Sequence, residues 1–324
     1  MDWSAAAAPL IATRAVHFAA TAITVGSVIF GRFIAMPVLQ DHTAAALPFR
    51  SRTRRQIWAC LVLSVISGAI WLLLQAASMS GMPLNEALTA DVLSKVVNET
   101  QFGEVTTIRA GLAICLATCL ISDRAVAAQW LGVAAAIALA GSLAWTGHAG
   151  STVGLTGYLH LAADALHAVA AAAWIGGLVS LITFLAIPQV RENMPLVRDA
   201  TERFSTLGII SVATILLSGV VNAAILVGSL HGLVATEYGR VLMLKLALFA
   251  VMLAFAAINR FRLTPQLAST GNEQSSVALR QLIRNSAIET TLGLGIIVIV
   301  GLLGTLHPAV HLEEVSGLLV TSYD

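Results

Sequence analysis

Leu159 to Ile187 reads LHLAADALHAVAAAAWIGGLVSLITFLAI, a run with Asp164 as its one carboxylate and no Lys or Arg. About 20 apolar helical residues cross the hydrocarbon core of a bilayer. This stretch therefore predicts a membrane span. Seven further windows meet the same test: Leu10 to Met36, Ile57 to Ala77, Val105 to Ile121, Ala125 to Trp145, Leu207 to Val227, Val241 to Ile258 and Ala287 to Leu306. The chain has 324 residues, 57% hydrophobic and 11% charged, with a mean hydropathy of +0.85. A water-soluble globule of that size could not bury so much apolar surface. The fold class expected is an all-α membrane protein of about eight transmembrane helices, with no soluble domain large enough to hold a separate active site.

Asp2 precedes the first window where a signal peptide would carry basic residues, and the window outruns signal-peptide length, so a retained helix is expected. The net charge of +1 says nothing about nucleic acid, and the basic residues sit in separate short loops with no patch among them, so no nucleic-acid partner is expected. All three Cys fall inside predicted spans, which argues against a disulfide framework. No GxxxxGK[ST], GxSxG or HExxH motif occurs, so ATP-driven pumping and the familiar hydrolases find no support.

Of the 18 Lys and Arg, twelve fall in the first, third, fifth and seventh connections, among them Arg50, Arg52, Arg54, Arg55, Arg191, Arg198, Arg203, Arg260, Arg262, Arg280 and Arg284. Positive loops stay in the cytoplasm. The segment from Ser80 to Glu104 sets Glu86, Asp91, Glu99 and Glu104 against Lys95 alone, which suits the opposite side. Both termini are then expected on the outer side. That orientation places His17, His148, His160, His167, His231, His307 and His311 at or near the outer face, leaving His42 inside.

The two halves of the chain align. Arg14, His17 and Gly26 match Asp164, His167 and Gly176 at one offset; Ser67 and Gly68 match Ser218 and Gly219; Phe102, Gly103 and Arg109 match Tyr238, Gly239 and Lys245; Thr146 and His148 match Thr305 and His307. Four helices per half means that both halves enter the bilayer from the same side, as parallel repeats do. The expected division is 1–150 as a first four-helix repeat and 151–324 as a second.

Spacings of four and three put His160, Asp164 and His167 on one face of the fifth helix. Asp164 either orients the His167 ring for a metal or neutralises Arg14, its counterpart in the first half. Met79 and Met82 lie just past the second window, at the outer end of that helix, and soft thioethers suit Cu(I), although two Met also serve as packing. Cys60, Cys115 and Cys119 lie toward the cytoplasmic side, either as an exit route for copper or as small apolar residues. Arg109, Lys245 and Glu289 stand near helix ends, where long side chains reach water. Asn222 is the polar exception inside a span, fit for a helix-to-helix hydrogen bond or for substrate.

Gly147-His-Ala-Gly150, the run from His160 through His167 to Trp174-Ile-Gly-Gly177, Arg203-Phe-Ser205, Ser218-Gly219, Asn222, Tyr238-Gly-Arg240 with Lys245, Asn259-Arg260 and Gly304-Thr-Leu-His-Pro308 together resemble the CopD/PcoD copper-resistance family of bacterial inner-membrane proteins. The resemblance extends to Arg14 and His17 and covers most of the chain. It implies copper handling at the inner membrane, with copper ion as cargo and a separate periplasmic CopC-type protein as donor. Some relatives look like fusions carrying that donor domain, and here the segment from Asp2 to Leu10 is too short for one. The reading that follows is a non-enzymatic protein of copper homeostasis and resistance that takes copper, as Cu(I) or Cu(II), from the periplasmic side, with His17, His148, His160, Asp164, His167 and His307 as candidate metal residues. A second reading is a b-type haem oxidoreductase, with paired His on facing helices and Arg14 or Arg109 meeting a propionate. A third is a membrane anchor or sensor for a partner protein.

Overall fold

A computed structural model of the chain describes residues 7–122, 125–151, 154–268, 272–308 and 310, all helices and their connections, with no strand among them. Among the described residues eight helices are long and apolar enough to cross a membrane: α1 (Ala8–Leu39), α2 (Thr43–Ser80), α3 (Gln101–Ile121), α4 (Val126–Thr146), α5 (Gly154–Leu185), α6 (Met194–Leu226), α7 (Glu237–Gln266) and α8 (Glu273–Leu303). The eight expected spans are all present. Several outrun their apolar windows because the helix continues into polar sequence. α2 begins fourteen residues before its window and takes in Arg50, Arg52, Arg54 and Arg55. The first turns of α6 carry the ion pairs Arg198–Glu202 and Asp199–Arg203, at the i, i+4 spacing that supports an exposed helix.

Both α3 and α7 start with the same device. Thr100 Oγ1 accepts a 3.0 Å hydrogen bond from the Gly103 amide, and Thr236 Oγ1 accepts one of 3.0 Å from the Gly239 amide, so each threonine satisfies a helix N-terminal donor. Each hydroxyl also donates, at 2.6 Å, to a carbonyl four residues back, Val96 or Gly232, tying each span to the short helix before it.

At the centre α1 crosses α5, where backbone meets backbone. A Cβ added to Gly26 would stand 2.5 Å from the Ala172 carbonyl oxygen and from the Gly176 Cα, and one added to Gly176 would collide with the Ala22 carbonyl. Small residues at such crossings allow the close approach that drives helix association in lipid. α2 packs on α1 and α6 on α5; α3 pairs with α4 and α7 with α8. Toward the end of the bundle that carries the Arg clusters, Phe30, Phe49, Phe184 and Phe204 form an aromatic core. The opposite end carries His17 and His167.

Candidate functional site

At the histidine end of α1, His17 is buried. Its Nδ1 lies 2.9 Å from the Ser64 carbonyl oxygen and 3.2 Å from Ser67 Oγ. A carbonyl can only accept, so Nδ1 bears the proton and Nε2 keeps its lone pair. Arg109 donates to that lone pair, with Nη2 2.6 Å from Nε2. The same guanidinium donates through Nη1 to the Leu139 carbonyl at 2.8 Å and to Ser142 Oγ at 2.7 Å. Arg109 is therefore a buried joint among α1, α3 and α4, and does not reach outward to water as its distance from a helix end suggested. Trp71 stacks edge-on to His17, Phe18 and Phe102, and Arg14 lies over the Trp71 ring at 5.2 Å. Arg14 also donates to the Gly304 carbonyl at 2.8 Å, joining α1 to the end of α8.

His167, on α5, sits in a second nest of like plan. Its Nδ1 is 3.0 Å from Ser218 Oγ on α6. That hydroxyl gives its own proton to the Thr214 carbonyl at 2.6 Å, so it accepts from Nδ1–H and again leaves the lone pair on Nε2. The ring also faces the Ile215 carbonyl. Here the plan departs from the first. Lys245 of α7, at the place Arg109 holds, acts on His167 through its charge, and Nε2 of His167 takes no hydrogen bond from any described residue.

One turn earlier on α5, Asp164 Oδ1 accepts a 3.0 Å hydrogen bond from Asn222 Nδ2 of α6, in the field of the Lys245 ammonium and close to Tyr238. Asn222 thus does make a helix-to-helix bond, and its own Oδ1 is buried without a partner. Asp164 is engaged by Asn222 and Lys245, whereas Arg14 turns to Gly304. Serine and backbone, not Asp164, hold the Nδ1 side of His167. Where the first nest stacks a cation on an aromatic ring, Arg14 on Trp71, the second sets a carboxylate against a carboxamide, Asp164 on Asn222.

His160 is 1% exposed within α5, while His307 and His231 are exposed. His148 lies in a short 3-10 turn after α4; its side chain and all of His311 fall outside the described residues. Among the described residues no three His, Cys, Asp or Glu side chains converge to hold an ion. Met79 and Met82 are exposed beside the histidine end. Cys115 and Cys119, one turn apart on α3, lean on each other, and Cys119 packs against Gly132 of α4. The paired-histidine haem reading finds no support, because both nitrogens of His17 are already taken by protein groups.

Sequence reasoning missed the partners of the two imidazoles. The serines and carbonyls of α2 and α6 are common residues whose role depends on register between helices, although the matched positions Ser67 and Ser218 were a signal.

Residues 4–158 match the family described as Copper resistance protein D-like, N-terminal domain, and residues 198–303 match the one described as Copper resistance protein D. Copper resistance protein D of Pseudomonas syringae pv. tomato is 32% identical over 92% of this chain and 96% of its own. Inner membrane protein YebZ of Escherichia coli (strain K12) is 29% identical over 92% of this chain and 98% of its own. Copper transport protein CutJ of Bacillus subtilis (strain 168) is 27% identical over 80% of this chain and 47% of its own. No solved structure matches. With a relative so similar along almost its whole length, and both halves matched by the corresponding family descriptions, the chain belongs to the copper resistance protein D family of multi-pass membrane proteins.

Proposed function

We propose that this protein binds copper at its histidine end, from the periplasmic face of a bacterial inner membrane, and passes it toward the cytoplasm without catalysing a reaction. The observation that carries this reading is the Nε2 lone pair of His167, which takes no hydrogen bond from any described residue. An imidazole whose Nδ1–H is fixed by a hydroxyl and whose Nε2 takes no hydrogen bond is set up as a metal ligand. Imidazole suits copper in either oxidation state. Asp164, next on the same face, supplies negative charge, and the arriving ion competes with Lys245 for it. Membership of a copper-resistance family and the likeness to a protein named for copper transport support copper as the cargo.

The two nests are best explained as parallel repeats, 1–150 and 151–324, whose first copy has become structural. The positive connections put the Arg-rich end in the cytoplasm, so both termini lie in the periplasm. A separate periplasmic CopC-type carrier fits this arrangement as copper donor, delivering at the end of the bundle that carries His167 and the exposed His307.

Copper content of the detergent-purified protein, by elemental analysis beside a visible spectrum, tests the reading. Wild type is expected to hold copper stoichiometrically with no Soret band, and His167→Ala to lose most of it while His17→Ala keeps it. Equal copper in wild type and His167→Ala, or a haem spectrum, would overturn it.

A further inference from the structure

Glu289 of α8 is 2% exposed, although its place near the start of an apolar window suggested a side chain reaching water. α8 begins sixteen residues earlier, which puts Glu289 well inside a continuous helix. Its Oε1 accepts from Asn259 Nδ2 at 2.5 Å, and Asn259 Oδ1 accepts in turn from Asn285 Nδ2 at 2.9 Å. Asn259 opens the π-helical turn Asn259–Leu263 of α7, where the Asn259 carbonyl accepts from both the backbone and the hydroxyl of Thr264. Such wide turns inside α-helices are frequent at functional sites. This one rotates Asn259 inward between two α8 side chains.

The cluster borders a cavity of about 370 Å³ in the gap between α6 and α7, lined mainly by apolar residues such as Leu181, Phe204 and Val212. Glu289 and Ser286 face it from α8, and the Ser286 hydroxyl is 1% exposed with no hydrogen-bond partner. Among the lining residues, α5 and α6 contribute no titratable side chain and α7 contributes Arg260, whose guanidinium is held by Ser205 Oγ at 2.6 Å. α1, which packs on α8, has no titratable residue between His17 and Arg32. On α8 itself Arg284 is exposed. Glu289 has no ion-pair partner among the described residues.

We propose that Glu289 is a proton-binding site of this protein, reached from the Arg-rich end through the cavity, with Asn259, Asn285 and Ser286 as its positioning residues. A hard metal ion is a poor fit: Ca²⁺ or Mg²⁺ gathers about six oxygens or more, while Asn259 turns its NH₂ toward the carboxylate and spends its oxygen on Asn285. One carboxylate and one hydroxyl are enough for a proton. The ionised carboxylate accepts from Asn259; the protonated one donates its O–H to Ser286 Oγ, or to Asn259 Oδ1 once both amides flip, so each state has a satisfied arrangement. Ionisable groups inside spans mark ion and proton pathways. The inference stands apart from the copper site.

Infrared difference spectra of the purified full-length protein in lipid vesicles, stepped in pH, test it with no copper present. Wild type is expected to show a protonated-carboxyl C=O band that grows on acidification and is missing from Glu289→Gln. Asn259→Leu is expected to move the midpoint of that band at least tenfold in proton concentration. Superimposable spectra for wild type and Glu289→Gln, an unmoved midpoint in Asn259→Leu, or a midpoint that follows sodium when it replaces choline at fixed pH would each overturn the proposal. If Glu289→Gln fails to fold, the Asn259→Leu midpoint decides.

Discussion

Arg109 lies 2.6 Å from Nε2 of His17 and uses up the one lone pair which that ring has left. Lys245, in the matching place of the second half, leaves Nε2 of His167 uncovered. A planar fork of five donors can bridge an imidazole, a carbonyl and a hydroxyl at once, and a single ammonium cannot hold the same three in a plane. Removing the fork therefore breaks a structural joint. Arg109→Ala is expected to lower unfolding stability by at least about 2 kcal/mol, since it strips Nε2 of the buried His17 ring of its donor and leaves the Leu139 carbonyl and Ser142 hydroxyl with only the hydrogen bond between them. A thermal melt in detergent checks this; an unchanged melting temperature would contradict the joint.

Lys245 has the opposite relation to the cargo. Its positive charge faces the carboxylate and imidazole proposed to receive a cation. Lys245→Met keeps the length and removes the charge, and is expected to tighten copper binding about tenfold, a modest share of one unit charge at several ångströms in an intermediate dielectric. Competition against a chromophoric chelator reads the affinity. Unchanged or weaker binding would mean that the ammonium is part of the copper site and no competitor.

The crossing of α1 on α5 leaves no room for side chains. Gly176→Ala is expected to cost about 3 kcal/mol or more, at the upper end for overpacking, because the obstacle is backbone and cannot turn aside. Gly295→Ala serves as control, since a Cβ there meets nothing within 4 Å. The fraction of monodisperse protein on gel filtration should fall for the first and hold for the second.

Orientation is read by fusion. Alkaline phosphatase placed after Glu99 should be active and a fusion after Ala268 inactive; the reverse pattern would put the histidine end in the cytoplasm.

The eight spans were legible because hydropathy over a window is a local property, and Leu159 to Ile187 shows it without any neighbour. Their lengths were not: α2, α6 and α8 run on through charged residues, which stay helical once propagation is under way but do not look like membrane. That is why Glu289, third residue of an apolar window, was read as an end residue though it lies deep in a helix. His17 and His167 could be picked out from their matched spacing. Their different states could not, because the difference lies in what stands on α3 and α7, more than 70 residues away in sequence. Arg109 and Lys245 look interchangeable in charge and differ in reach.

Gly26 and Gly176 meet across the crossing at the positions that align in the two halves. Under the duplication proposed above, that contact is isologous: a surface touching its own image, as in a two-fold dimer. The ancestral four-helix chain would then have worked as a homodimer, and the present protein would be that dimer spliced into one polypeptide. Joining the subunits would have released each copy from serving the other's role, so that one imidazole could be locked by a guanidinium while its twin stayed open.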